Sequence, residues 1–508
     1  MKKTLLCALA AAMLVATGCE KDLDQAPISS GSVPTFYKSA DDFNQAMNAA
    51  YSSLRDYPDR QLTMSETRSD NIYGVSTQGI RTWEPINNFS TTIASNEYPA
   101  GTWSSDYTGI YRCNILLDQM AANGSVLTPA LRTRYEGEAK FLRALFYLDL
   151  VRYFGKVPLI DHALEPQVVA KINRSPVSDV YDLIIADLTT AIANLPPTYT
   201  GADVGRATSW AAKGMLGLVY LTRSGSDYGK PGQGPGMNSN EYNKAYGLFN
   251  DITTNGPYQF ATGTNAYANI FSYTNENNRE VLFDVQYISG GVGQGASYPS
   301  ILVTNNYFNS IGVGTTFGTG DELRPASNNL LASYAANDVR KTFSLQVGYS
   351  TTTTPILTET RAAFKKYING ALRGSTRTDW PINFIIMRYT DVLMMKAEAI
   401  LKGGGGAQAD VDAIMNQVRS RAGLTGTVTG TTYTQLMEER RREFVGEGLR
   451  WHDLVRSGNA VTIMNAWIAQ DDVSNRMRKT LNANDLLYPV PQAELAASSY
   501  LYDQNPGY

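Results

Sequence analysis

TPALRTRYEGEAKFLRALFYLDLVRYFG, running from Thr128 to Gly155, decides the fold. Thr128 is a helix N-cap residue, and Pro129 takes the first helical position, where its missing N–H goes unnoticed. Leu131, Tyr135, Leu142, Leu145 and Phe146 then recur at helical spacing. Gly155 stands where helices end on a glycine. The spacing predicts one long helix over 129–154.

Outward from this stretch the same signals repeat. Ser175-Pro176 opens a helix with Tyr181, Ile184, Leu188, Ile192 and Leu195 on one stripe, and Pro196-Pro197 stops it. Further helices are expected near 40–55, 104–122, 207–224, 241–254, 389–402, 409–421 and 434–456. Successive pairs resemble tetratricopeptide hairpins without a strict period. Between them lie loops of roughly 56–102, 225–240, 258–320 and 345–380, rich in Gly, Ser, Thr, Asn and Tyr. Val281 to Val285 reads as a short strand. Loops of this length are unusual in a compact domain unless they are functional. The expectation is an all-α scaffold of helix pairs carrying an elaborated loop surface, with no linker dividing residues 35–508.

Composition bounds the function. The 508 residues carry 44 Lys and Arg against 47 Asp and Glu, a net charge of −3. No basic field attracts a nucleic-acid backbone. Two His and three Cys without a CxxC argue against a transition-metal site, so no metal and no cofactor are expected. Tyrosine is in excess, 31 against 16 Phe and 6 Trp. Its apolar body and polar tip suit wet recognition surfaces.

The first residues read as an address. Lys2 and Lys3 precede an apolar run from Leu5 to Val15, too short to span a bilayer comfortably, and Ala16-Thr17-Gly18-Cys19 closes it. The box resembles a bacterial lipoprotein cleavage site. Residues 1–18 are then a signal peptide, Cys19 carries the lipid (a palmitate anchor), and 19–34 form a polar tether. The acidic stretch after Cys19 resembles the surface-export signal of Bacteroidetes lipoproteins. Cleavage removes Cys7 and lipidation uses Cys19, which leaves Cys113 alone and allows no intrachain disulfide.

A set of blocks then carries a family resemblance. Glu138-Ala139-Lys140-Phe141-Leu142-Arg143-Ala144 through Arg152-Tyr153-Phe154-Gly155-Lys156-Val157-Pro158-Leu159 resembles the signature block of the SusD/RagB family of nutrient-binding outer-membrane lipoproteins. Tyr181-Asp182-Leu183-Ile184, Gly205-Arg206-Ala207-Thr208 and Arg388-Tyr389-Thr390-Asp391 follow in the family's order. So do Val418 to Leu424, Glu439-Arg440-Arg441-Arg442-Glu443-Phe444 and Gly448 to Arg456. The final Gln504-Asn505-Pro506-Gly507-Tyr508 also agrees. The resemblance implies an N-terminal part over about 35–225 and a C-terminal part over about 270–508 of one SusD-like helical domain. It implies a cell-surface outer-membrane lipoprotein that delivers oligosaccharides to a SusC-like TonB-dependent transporter for nutrient uptake. A peptide ligand on the same architecture is the alternative.

Candidate sites follow. Glu439, Glu443, Glu447, His452 and Asp453 form a tempting acid–base cluster. Arg440, Arg441, Arg442 and Arg450 surround them, a pattern of packing ion pairs that favours the charged carboxylate over a general acid. A lipid-anchored glycosidase would need a carboxylate pair on the loops, and Asp70 with Glu66 or Glu84 is the only local set. No catalytic residue is assigned, and the protein reads as a binder. Trp103, Trp210, Trp451 and Trp467 lie in helical segments and read as core. Trp83 lies in the loop that holds Asp70, Tyr73 and Arg81, where polar and aromatic residues alternate. The resemblance places one side of the ligand site in this loop and an aromatic wall in 286–320. Ligand contacts are therefore expected at Trp83, Tyr73, Arg81, Asp70, Tyr298, Tyr307 and Trp380. Neutral sugar hydroxyls should carry the contacts, which makes affinity insensitive to salt.

Overall fold

Thr128 caps the deciding helix as expected, its hydroxyl accepting the Leu131 N–H at 3.3 Å, and Gly155 ends it at φ 69°. This is a computed structural model, describing residues 36–508 except 77–78, 80, 228–233, 319, 321 and 479. The expected signal peptide, tether and lipidated Cys19 lie outside the described residues.

Eleven helices of eight residues or more are present among the described residues. They are α1 (Ala40–Ser52), α2 (Glu97–Asn123), α3 (Pro129–Phe154), α4 (Val177–Asn194), α5 (Ser209–Ser224) and α6 (Tyr242–Asn255) in the N-terminal half. The C-terminal half supplies α7 (Tyr389–Leu401), α8 (Gln408–Arg421), α9 (Tyr433–Glu443), α10 (Arg450–Ser457) and α11 (Ala460–Asp471). From α2 to α8 each helix packs on the next, so the chain winds as a run of antiparallel pairs. The fold is thus predominantly helical, built of tetratricopeptide-like pairs, as expected. One buried cluster runs from Tyr37 to Leu495, and a smaller one sits between α7, α8 and α9.

The structure differs from the sequence reading in several stretches. The helix expected over 434–456 is broken between α9 and α10, because Gly446 and Gly448 take left-handed φ of 73° and 74°. The turn aims their N–H groups at the Glu66 carboxylate, at 2.9 and 3.2 Å. A Cβ on Gly448 would stand 2.7 Å from the Gln61 side chain, so both conformation and space call for glycine. The loops 258–320 and 345–380 are also more ordered than expected. Val281–Val285 is the predicted strand, and it pairs antiparallel with Phe384–Arg388. Leu345–Ser350 pairs with Thr358–Phe364 in a second ribbon, and a third short ribbon joins Val157–Pro158 to Arg174–Ser175.

The conspicuous polar feature is a buried ion-pair network in the C-terminal part. Glu443 accepts from Arg388 at 2.9 Å, Arg421 at 2.6 Å and Arg340 at 3.1 Å. Glu447 holds Arg388 and Lys366, and Asp453 holds Arg440 and Arg456. Burial alone would raise the Glu443 carboxyl, yet Arg421, Arg388 and Arg340 outweigh it and hold it far below its ordinary range. His452 is buried against Tyr153 at 4.7 Å, and burial pushes its pKa well down. These groups are cement for the helices. Cys113 is buried as well, its thiol pushed up to about 12 by desolvation. Trp103, Trp451 and Trp467 are core, and Trp210 is partly buried under Lys213. No helix among the described residues is long and apolar enough to cross a membrane.

Candidate functional site

The loop after Ser69 is built around Asn87. Its side-chain oxygen accepts the Gly74 N–H at 2.8 Å, and its Nδ2 donates to the carbonyls of Thr67 and Ile72. Trp83 precedes the short helix Glu84–Asn87, and its carbonyl accepts the N–H of Ile86 at 3.1 Å. The indole lies over Gly74, where a Cβ would come within 2.7 Å of the ring. Asn96, the N-cap of α2, donates to the Thr82 carbonyl at 2.7 Å and accepts from the Tyr98 N–H at 3.0 Å. This one side chain ties the tryptophan loop to the start of α2 and sets Tyr98 beside Trp83.

These residues form one wall of a cleft of about 490 Å³. Arg81, Thr82, Trp83 and Tyr98 line it together with Ser297, Ser300 and Ile301, Arg377 and Thr378, and Asp59 and Arg324. The guanidinium of Arg324 lies 5.2 Å from the Trp83 ring centre and donates to Thr63, Thr67 and Tyr98 hydroxyls. The Ser297 hydroxyl donates to Asp59, whose carboxyl burial pushes up to about 6. The opposing wall is held by Asp379, which accepts the N–H groups of Gly290, Gly291 and Ser375 at 3.2 to 3.3 Å. Ser300 accepts from the Trp380 indole at 3.0 Å and donates to the Arg377 carbonyl at 3.3 Å. The two loops that frame this side of the cleft are thereby locked to each other.

Of the residues expected at a ligand, the structure brings Trp83 and Arg81 into the cleft. Trp83 is only 7% exposed, so it offers an edge, and it packs more deeply than a loop residue was expected to. The others are placed elsewhere. Asp70 accepts from Arg450 at 2.8 and 2.9 Å. Burial raises its pKa, but Arg441 and Arg450 outweigh that and hold the carboxyl at about 2. Tyr73 donates its hydroxyl to Asp472 at 2.9 Å and packs on Trp467 of α11. Tyr298 is 1% exposed, with its hydroxyl on the Asn383 carbonyl at 2.8 Å. Tyr307 is buried against Phe308 and Tyr349. Trp380 is 0% exposed and packs against Phe308 and, edge-on, Phe317. In this conformation Asp70, Tyr298, Tyr307 and Trp380 present no face to a ligand. Their reading as contacts is corrected to packing, because these loops fold onto the core. Glu66 and Glu84 are committed too, Glu66 to Gly446, Gly448 and Asn71, and Glu84 to Arg476. None of the three loop carboxylates lines the cleft.

Tyr98, Asp59, Arg324, Arg377 and Ser297 complete the cleft without standing out in the sequence as site residues. Tyr98 had a signal: Asn96 before Glu97 is an N-cap, and it starts α2 earlier than the expected 104. The rest come together only through tertiary packing. A larger groove of about 640 Å³ lies between α2 and the 158–170 loop, lined by Trp103, Tyr107, Tyr111, Ile160, Leu164 and Tyr502 among others. Its walls are mostly apolar, whereas the smaller cleft joins aromatic edges to convergent hydroxyls, guanidiniums and a carboxylate. That mixture is what an oriented polar ligand needs, so the smaller cleft is the candidate site.

Comparison with known proteins agrees with this architecture. Residues 334–508 match the SusD family, and residues 23–221 match a family described as starch-binding and associating with the outer membrane. A SusD-like protein of Bacteroides ovatus is 29% identical over 482 residues, covering 90% of this chain and 82% of its own. Among solved structures, a laminarin-binding SusD-like protein is 25% identical with a TM-score of 0.73, covering 93% of this chain and all of its own. Surface glycan-binding protein A from Bacteroides fluxus is 22% identical with a TM-score of 0.77, covering 92% of this chain.

Proposed function

The chain belongs to the SusD family, and from that premise we propose that it binds oligosaccharides in the Trp83 cleft for nutrient uptake. Lipidated at Cys19 and displayed at the outer membrane, it hands its ligand to a SusC-like TonB-dependent transporter. The observation that carries the reading is the cleft itself. Trp83 and Tyr98 offer apolar ring surface against which the carbon skeleton of a sugar can pack, and Arg81, Asp59, Ser297 and Ser300 offer hydrogen-bonding groups for its hydroxyls. The laminarin-binding and starch-binding descriptions of similar proteins support a glycan as ligand class. The family's role and the inward commitment of Asp70, Glu66 and Glu84 support binding without turnover.

The test is a titration calorimetry panel of oligosaccharides against the purified chain, followed by chromatography of the recovered sugars. Saturable binding with unchanged sugars supports the proposal. Cleaved sugars, or no binding by any oligosaccharide together with saturable binding of peptides, would overturn it. For delivery, Cys19→Ala should leave the outer membrane and should not co-purify with a large barrel protein from native membranes.

A further inference from the structure

The charge of the cleft is lopsided. Arg81, Arg324 and Arg377 line it, and Asp59 is the one carboxylate among the described lining residues. Arg324 is 4% exposed, and no carboxylate lies within ion-pair distance of it among the described residues. Its Nε is buried with no hydrogen-bond partner, and burial lowers its pKa. Among the described residues the carboxylate that Arg81 approaches is Glu322, at 3.9 Å, and its Nε is likewise buried and without a hydrogen-bond partner. Arg377 is exposed, and its backbone carbonyl accepts the Ser300 hydroxyl. Asp59 is bound by the Ser297 hydroxyl and interacts electrostatically with Arg324, so it offsets one of the three positive charges that line the cleft and leaves two.

A guanidinium taken out of water without an anion is costly. Neutral hydroxyls satisfy its N–H groups but not its charge, whereas a carboxylate or sulfate satisfies both, and bidentately. The chain as a whole is acidic, at −3, so three arginines at one cleft stand against the global field. Taking the cleft as the glycan site, as proposed above, we propose that it selects anionic oligosaccharides. Arg81 and Arg377 pair with a carboxylate or sulfate ester on a sugar ring, and Arg324 supplies fixed positive charge behind Trp83. This replaces the sequence expectation of a salt-insensitive, purely neutral ligand.

The experiment uses matched pairs on the full mature chain. A galacturonic acid hexasaccharide is compared with its methyl-esterified form, and a sulfated galactan oligosaccharide with its desulfated form. The charged member of at least one pair should bind about tenfold tighter than its neutral partner. Its affinity should fall as NaCl is raised, because exposed charges are screened. Which pair responds separates carboxylate from sulfate. Arg377→Gln should erase the preference, while its exposed position leaves the melting temperature unchanged. Equal binding within both pairs, without salt dependence, overturns the inference and leaves the glycan reading standing. So does binding of a neutral β-glucan hexasaccharide when neither charged probe binds. If no glycan on the panel binds, both readings fall.

Discussion

In the C-terminal network, Arg340, Arg388, Arg421, Arg440 and Arg456 each have a carboxylate oxygen within 3.1 Å. In the cleft, Arg81, Arg324 and Arg377 share a single carboxylate contact, at 3.9 Å, among the described residues. The same side chain is used in two ways. Where guanidiniums and carboxylates interleave, their charges are spent on each other and fix how α7, α8 and α9 meet. Where guanidiniums gather around one weak acid, charge is left over for something that is not part of the chain. Perturbed and unpaired charge in a cleft is a marker of function, and fully paired charge is not. Both regions are arginine-rich, so composition alone does not tell them apart. The partner list does.

One substitution made in both places breaks or sharpens the contrast. Arg388→Met takes one of three guanidiniums from Glu443 and one of two cations from Glu447 in the core, and should cost about 3–5 kcal/mol, read from chemical denaturation. A loss under 1 kcal/mol would mean that the network does not hold the fold. Trp83→Ala comes next. The indole is mostly buried over Gly74, so removing it should cost about 3 kcal/mol of stability and also weaken glycan binding by about tenfold. Unchanged stability would contradict the packing described. Arg324→Met should cost only about 1 kcal/mol, since hydroxyl contacts are lost but no carboxylate is stranded. A loss equal to that of Arg388→Met would show that the protein already compensates this charge.

The smallest effect concerns the mirror case, carboxylates without cations. Burial pushes Asp284 and Glu276 up to about 7. Glu276 accepts the Asn383 N–H at 2.6 Å, a bond that a glutamine keeps. A raised carboxylate pKa means that the folded state holds the proton more tightly than the unfolded chain does. The associated stability is complete below about pH 4.5 and is lost as pH rises through 7. Glu276→Gln should therefore melt like wild type at pH 4 and slightly above it at pH 8. A variant less stable at pH 8 would reverse the sign.

Much of the scaffold was legible in the sequence. Thr128-Pro129 caps α3, Pro176 stands at the N-cap of α4 without a side-chain cap, and the apolar stripes behind them mark both helices, since periodicity is a local property. The break at Gly446 and Gly448 was legible in principle from two glycines, but its cause is Glu66, far away in the chain. The cleft was legible only on one side. Arg81 and Trp83 sit in a polar, aromatic loop that advertises itself. Asp59, Arg324 and Arg377 reach the cleft from three separate segments. Tyr298 and Trp380 show the converse: aromatics in glycine-rich loops resemble surface platforms. Here the loops pair Ala296 with Trp380 and fold those rings into the core.

The most direct test of the central claim is a crystal structure of the chain with whichever oligosaccharide of the matched pairs binds it. The account predicts a sugar ring between Trp83 and Ser300, with an anionic group on Arg377 or Arg81. Sugar found instead in the apolar groove by Trp103 and Tyr111, with the Trp83 cleft empty, would contradict it.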